Sequence, residues 1–318
     1  ASPSSPLLIL GIDEMFANDS DDRKRRLHIM KRLSRFIAVM MGAVLTLAAM
    51  SGCSSASSSS STAANRLEAI KERGYLEVAT EPYFAPNEFI DASKPAEEQI
   101  VGSDIELAKR IAEEIGVELR IIPLEFSAVL SSVTEGKYDL AISALAYTPE
   151  RAEAMALSEG YYFNPNSEGY SLLVREEDAD QYKSFSDFDG KIVVCQSGSL
   201  QEMYATTQMD YQKFKEFPRV SATTDGYLMV SEKKADAAVC AVANAKLYCE
   251  ANPGLTTLAG VIQFETDPEF DGTRVGVPKD EPELLEVVNK VIADLLESGE
   301  YEQWYKEYQE YAAGLGIE

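Results

Sequence analysis

An α/β architecture in two lobes is what this sequence predicts, on three observations. Strand-like and helix-like apolar patterns alternate from about residue 65 onward, the alternation occurs twice, and 318 residues exceed what one core usually holds, roughly 250 to 300. A composition 45% hydrophobic and 26% charged suits a folded chain with such cores.

The first recognisable element is an address. From Met30 the sequence has a basic start, Met-Lys-Arg-Leu-Ser-Arg, then an apolar run from Phe36 to Met50, then Ser51-Gly52-Cys53. A charged region, an apolar region and small residues before a cut describe a secretory signal peptide. The run is shorter than the about 20 residues that span a bilayer, which counts against the alternative of a permanent membrane anchor. A cysteine directly after Ser-Gly resembles a bacterial lipobox, with Met50 where Leu is usual, so cleavage before Cys53 and acylation of its thiol are expected. Translation is expected to start at Met30, and residues 1–29 are assigned no function. Ser54 to Ser61 is nearly all serine and is expected to form a flexible tether.

The body is expected to begin near Asn65. An amphipathic stretch, Arg66 to Arg73, stops at Gly74, and Tyr75 to Thr80 reads as a strand. Ser103 is placed to cap a helix with the apolar face Ile105, Ala108, Ile111, Ala112 and Ile115, ending at Gly116. Leu119 to Ile122 is a second strand. Val129, Leu130 and Val133 sit at helical spacing before Gly136, and Tyr138 to Ala144 is a strand leading into a helix that begins at Thr148. The pattern then repeats, with strand Lys191 to Cys195, a helix from Ser199, a helix near Asp225 to Lys233 and strand Ala235 to Ala241. Toward the carboxyl end, Asp280 and Glu283 are expected to form a capping box for a helix that buries Leu284, Val287, Val288, Val291, Leu295 and Leu296. Trp304 and its Tyr neighbours lie on a last helix, where such spacing indicates core packing.

Charge and residue usage exclude several functions. A net charge of -24 lacks the positive footprint of nucleic-acid binding. It suits the solubility of an exported surface; steering of cationic solutes is the alternative. The single histidine, His28, precedes the signal segment, so a chain starting near Cys53 has none. Ser-His-Asp and Cys-His catalysis and His-ligated metals are thereby excluded. Cys53, Cys195, Cys240 and Cys249 contain no CxxC pair, so neither a metal nor a cofactor is expected. Cys195 and Cys240 end two strands expected to be close together; a disulfide or ligand-facing thiols is one reading, two small buried hydrophobes the other. Cys249 lies on a helical pattern and reads as packing.

The strongest local signal is Thr148-Pro149-Glu150-Arg151. Thr supplies an N-cap, Pro takes the first helical position, and a cation in the first turn is misplaced unless an anion sits nearby. Arg151 and the helix start can hold a carboxylate; a solvated arginine paired with Glu150 or Glu153 is the alternative. Ser197-Gly198-Ser199, after the first strand of the second lobe, can present further N–H donors.

The strings Val78-Ala79-Thr80-Glu81-Pro82-Tyr83-Phe84-Ala85-Pro86, Gly102-Ser103-Asp104-Ile105-Glu106-Leu107-Ala108, Gly136-Lys137-Tyr138-Asp139-Leu140 and Thr148-x-x-Arg151 together resemble extracellular solute-binding protein family 3, the polar amino-acid-binding proteins of ABC importers. The similarity runs over residues 65 to 318 in matching order. The resemblance implies a two-lobed periplasmic-binding-protein-like (type II) fold, with a ligand cleft between lobes joined by two crossover strands. It implies lobe 1 at 65–166 and 267–318 and lobe 2 at 167–266, behind the signal segment 1–53 and tether 54–64. Arg151 would take the ligand's α-carboxylate in a bidentate fork. Ser143 and the backbone at Ala144 and Ala146 match the cleft segment before it, and Ser199 and Leu200 match the second-lobe helix start. Phe84 matches an aromatic that packs on the ligand side chain, and Glu81 an acid that contacts a basic side chain in some members. Many members carry an Asp that accepts from the ligand's ammonium where this chain has Ala241; Glu81 or Glu88 would then have to serve, or the ligand is not a standard α-amino acid.

The function implied is that of a lipid-anchored, extracytoplasmic substrate-binding protein, a monomer on the outer face of a bacterial membrane, capturing an amino acid or similar small carboxylate by lobe closure and serving an ABC permease. Two alternatives share the fold: a cyclohexadienyl-dehydratase-like enzyme using Glu81 or Glu88 as general acid, and a ligand-sensing lipoprotein.

Overall fold

The computed structural model describes residues 65–163 and 168–316. The signal segment, Cys53 and the serine tether lie outside them. Elements follow in chain order as α1 (Arg66–Arg73), β1 (Tyr75–Thr80), β2 (Tyr83–Phe84), β3 (Glu88–Ile90), β4 (Ile100–Val101), α2 (Ser103–Ile115), β5 (Glu118–Pro123), α3 (Phe126–Thr134), β6 (Leu140–Ala146), α4 (Pro149–Ala154) and β7 (Ala156–Leu157). The chain then passes to β8 (Tyr170–Arg175), β9 (Val193–Gln196), α5 (Leu200–Gln208), β10 (Arg219–Val220), α6 (Thr223–Ser231), β11 (Ala237–Ala241), α7 (Val242–Ala251) and β12 (Thr256–Leu258). It returns through β13 (Thr273–Val277) and ends on α8 (Pro282–Ser298) and α9 (Glu300–Leu315).

Two five-stranded mixed sheets result, ordered β5-β1-β6-β13-β7 and β10-β9-β11-β8-β12, and a small antiparallel sheet β2-β3-β4 lies beside the first. In each large sheet a parallel α/β unit is closed by antiparallel strands: β1 is parallel to β5 and β6 while β13 is antiparallel to β6 and β7, and β9 is parallel to β10 and β11 while β8 is antiparallel to β11 and β12. The two passages between the sheets run side by side, since Thr273 N–H donates to Tyr162 O at 3.0 Å and Phe264 N–H to Tyr170 O at 2.9 Å.

Each sheet carries apolar layers on both faces, as a parallel sheet requires. One face of the first packs under α1, α2, α8 and α9, with Leu76, Val78, Leu107, Ile111, Leu140, Val288 and Ile292 fully buried; α3 covers the other through Val129 and Val133. The predicted α2 face is buried throughout, from Ile105 to Ile115. In the second sheet, Val193, Cys195 and Val239 face one layer, and Val194, Ala238 and Cys240 face the other.

Three local expectations change. Asp280 and Glu283 form no capping box: Pro282 takes the first helical position of α8, Glu281 is the N-cap without a side-chain cap, and its carboxylate instead accepts from Arg66 N–H at 2.9 Å. Ser103 is the first residue of α2, behind Gly102, and its hydroxyl meets Tyr301 Oη at 3.0 Å. Cys195 and Cys240 are free and buried in layers on opposite faces of their sheet, so the pairing considered above is not formed. Alternate residues of a strand point to opposite faces, and the register that sets Ala238 beside Val194 puts these two cysteines out of step.

Candidate functional site

Where the carboxyl ends of β1, β6 and β9 face one another, a cavity encloses about 410 Å³ of empty space, part of it open to solvent. All eight residues proposed from the sequence line it: Glu81, Phe84, Ser143, Ala144, Ala146, Arg151, Ser199 and Leu200. Glu88, weighed above as an acceptor, lines it too, as do Phe126, Tyr170, Gln196 and Gln201.

Arg151 is placed by local sequence. Thr148 is the N-cap of α4 and its hydroxyl accepts from Arg151 N–H at 3.1 Å, with Pro149 in the first turn. Arg151 is 7% exposed, and its guanidinium donates to Ala146 O at 2.8 Å and to Gly198 O at 3.1 Å, reaching from the first lobe to the second. Its carbon lies 5.5 Å from the centre of the Phe126 ring. No carboxylate lies within salt-bridge distance of it among the described residues, so pairing with Glu150 or Glu153 is not formed. Burial lowers its pKa to about 10, which leaves it a cation at neutral pH. The second-lobe wall is the start of α5, where Ser199 Oγ accepts from Glu202 N–H at 3.2 Å and donates to Gln196 O at 2.7 Å. Gly198, at φ +73°, makes the turn that aims its carbonyl at Arg151.

Buried acids line the same cavity as the guanidinium. Glu81 is 2% exposed; its N–H donates to Ser143 Oγ at 3.0 Å, and its Oε1 has no hydrogen-bond partner. Burial pushes its pKa up to about 8, against a hydrogen bond from Gln196, while the charge of Asp225 adds to the rise. Glu88 accepts from Ser143 Oγ at 3.0 Å and leaves Oε2 unpartnered by any donor. Burial, then the charges of Asp104 and Glu81, hold it well above the usual carboxylate range. The cavity thus joins one fixed cation to two buried acids with free acceptor oxygens, a complement for a small molecule that carries an anion at one end and a cation at the other.

Ala241 ends β11 and is absent from the cavity wall, so the place where related proteins are expected to have an acid offers none. Gln196 was missed in the sequence, although its place directly before Ser197-Gly198-Ser199 could have signalled it. Phe126 and Tyr170 carried no local signal, because only the pairing of sheets brings them to the cleft. Among the described residues no group of three His, Cys, Asp or Glu side chains could hold a metal ion.

A family model described as bacterial extracellular solute-binding proteins, family 3, matches residues 76–311. The arginine-binding extracellular protein ArtP of Bacillus subtilis is 25% identical over 276 residues, covering 87% of this chain and 98% of that protein. A crystal structure of the amino acid ABC transporter substrate-binding protein AbpA from Streptococcus pneumoniae, bound to L-arginine, superposes with a TM-score of 0.68 at 37% identity, covering 79% of this chain and 99% of that one. The ancestral amino acid-binding protein AncCDT-1, described as a precursor of cyclohexadienyl dehydratase, superposes with a TM-score of 0.64 at 27% identity, covering 77% of this chain and 99% of that one.

Proposed function

This chain belongs to the bacterial extracellular solute-binding proteins, family 3, and from that premise we propose that its cleft captures a cationic L-amino acid, L-arginine first among the candidates, for an ABC importer. It is an extracytoplasmic amino-acid-binding protein of the ABC-transporter type and not an enzyme, which sets the dehydratase reading aside.

One observation carries the ligand class: two buried acids with unpartnered oxygens line the same cavity as a buried arginine that has no carboxylate partner among the described residues. In this reading Arg151, with Ser199 and the first-turn amides of α5 at Leu200 and Gln201, holds the α-carboxylate. Phe84 packs on the side chain, and Ser143 with the backbone at Ala146 lines the middle. Glu81 and Glu88 share the ligand's two cationic groups, which answers the missing acid at Ala241. The arginine named in the descriptions of ArtP and of the Streptococcus structure supports the same class. Isothermal titration with L-arginine, L-lysine, L-histidine, L-glutamine and L-glutamate tests it; preference for L-glutamate, or silence from every basic amino acid, would remove the assignment. Arg151→Ala is expected to keep the fold and lose at least an order of magnitude in affinity, in line with about 2 to 5 kcal/mol for a buried charge pair.

Lipid attachment at Cys53, a monomeric state, lobe boundaries near residues 166 and 266 and closure on the ligand belong to the same proposal. Radiolabelled palmitate incorporated by the unmodified chain and not by Cys53→Ala supports the anchor. Loss of basic amino-acid uptake on deletion separates import from ligand sensing.

A further inference from the structure

Asp104 is fully buried and outside the cavity wall, yet it reaches the cleft through the backbone. Its Oδ2 accepts from Ala144 N–H at 2.8 Å and from Tyr161 Oη at 2.8 Å, and its Oδ1 from Tyr301 Oη at 2.5 Å and Asn87 Nδ2 at 3.4 Å. Four donors around one carboxylate are what a buried anion requires. The residue is itself pinned: its N–H donates to Asn87 O at 2.9 Å, and Gly102, at φ +138°, lies so close that a Cβ there would stand 2.1 Å from the same oxygen.

Ala144 is one of three non-glycine residues with positive φ among the described residues, at +46°. For an alanine the left-handed region is disfavoured and persists only where the surroundings hold it. It falls where the ladder with β13 loses register: Leu145 stands opposite Arg274 but Ala141 opposite Gly276, so β6 carries extra residues in a bulge. Such bulges re-aim the chain next to functional sites. Here the bulge, between Ala141 and Leu145, contains Ser143, whose hydroxyl joins Glu81 to Glu88, and directly precedes Ala146, whose carbonyl takes Arg151.

We propose that Asp104 is a positioning residue for ligand capture: its carboxylate holds the Ala144 amide and so keeps the bulge in the conformation that sets Ser143 and Arg151 for the ligand. Asp104 lies outside the cavity wall and acts on the bulge through Ala144, while its charge also bears on Glu88.

Titration of the full chain with L-arginine tests this in four forms: unmodified, Asp104→Asn, Ala144→Gly and the double variant. Asp104→Asn replaces one acceptor oxygen, with its two donors, by an amide donor, and affinity is expected to fall about ten- to a hundredfold, the value of a hydrogen bond to a charged group. The double variant is expected to recover most of that loss, because glycine adopts positive φ without a hold. Unchanged affinity in Asp104→Asn, or no recovery on adding Ala144→Gly, would overturn the proposal, since a merely structural role is not rescued at Ala144. Should Asp104→Asn not fold, amide exchange at Ala144 in the unmodified chain decides: exchange only through global opening supports the hold, and loop-like rapid exchange refutes it. L-arginine as probe rests on the proposed function; if the unmodified chain does not bind it, that reading fails while the exchange measurement still tests this one.

Discussion

A carboxyl group with an unpartnered oxygen in a dry wall is costly as an anion, and Glu81 therefore keeps its proton up to about pH 8 in the unliganded protein. Its ordinary value is 4.5, so between those two values the folded state binds more protons than the unfolded one, and the contribution of Glu81 lowers stability as pH rises through that window. A cationic ligand requires the carboxylate, so binding releases the proton. Affinity for L-arginine is expected to rise with pH, approaching about tenfold per unit below pH 8 and levelling above it. Glu81→Gln should reduce both slopes and leave a weaker site whose remaining pH dependence comes from Glu88. Titrations and melting curves from pH 5 to 9 check this; an undiminished slope in Glu81→Gln would assign the linkage to another group.

At the scale of elements, the helices laid on the first sheet bury one continuous apolar layer. Ile111 is fully buried on the α2 face between sheet and α8, and Ile111→Ala is expected to cost about 2 to 5 kcal/mol, read from urea unfolding. That face was legible because a helix repeats every few residues, and Gly116 ends α2 at φ +83° as its place in the sequence implied. The strands were found with shifted ends: β6 runs to Ala146, not Ala144, and β11 starts at Ala237, not Ala235. The cysteines show why register was not legible. Sequence places Cys195 and Cys240 on two strands that do pair, but which face each side chain takes depends on an alignment set by distant residues. The melting temperature is accordingly expected to be the same with and without a reducing agent; a large drop under reduction would show that these thiols pair after all.

At the scale of the molecule, residues from both sheets build one site, and hydrogen bonds cross the cleft, among them Arg151 to Gly198 O, Gln196 to Glu81, and Asn244 Nδ2 to Ala85 O at 2.8 Å. The eight residues proposed from the sequence meet here because short motifs sit at the ends of adjacent strands, whereas the contributions of Phe126 and Tyr170 arise only once the sheets face each other. In the closure proposed above, a bond across the cleft is made only when the lobes are together, so it would add to the ligand's differential affinity for that form. Asn244 lies on α7, outside the cavity wall, and removing its amide leaves every ligand-facing group in place. Asn244→Ala is therefore expected to weaken L-arginine binding by about fivefold, the worth of one net hydrogen bond near 1 kcal/mol, mainly through faster dissociation. Solution scattering should show the same compaction at saturating ligand, because mass action still fills the closed state. Stopped-flow kinetics separate this from damage to the site: a slowed association rate with unchanged dissociation would mean that Asn244 serves the open form, and that closure draws nothing from the bond to Ala85.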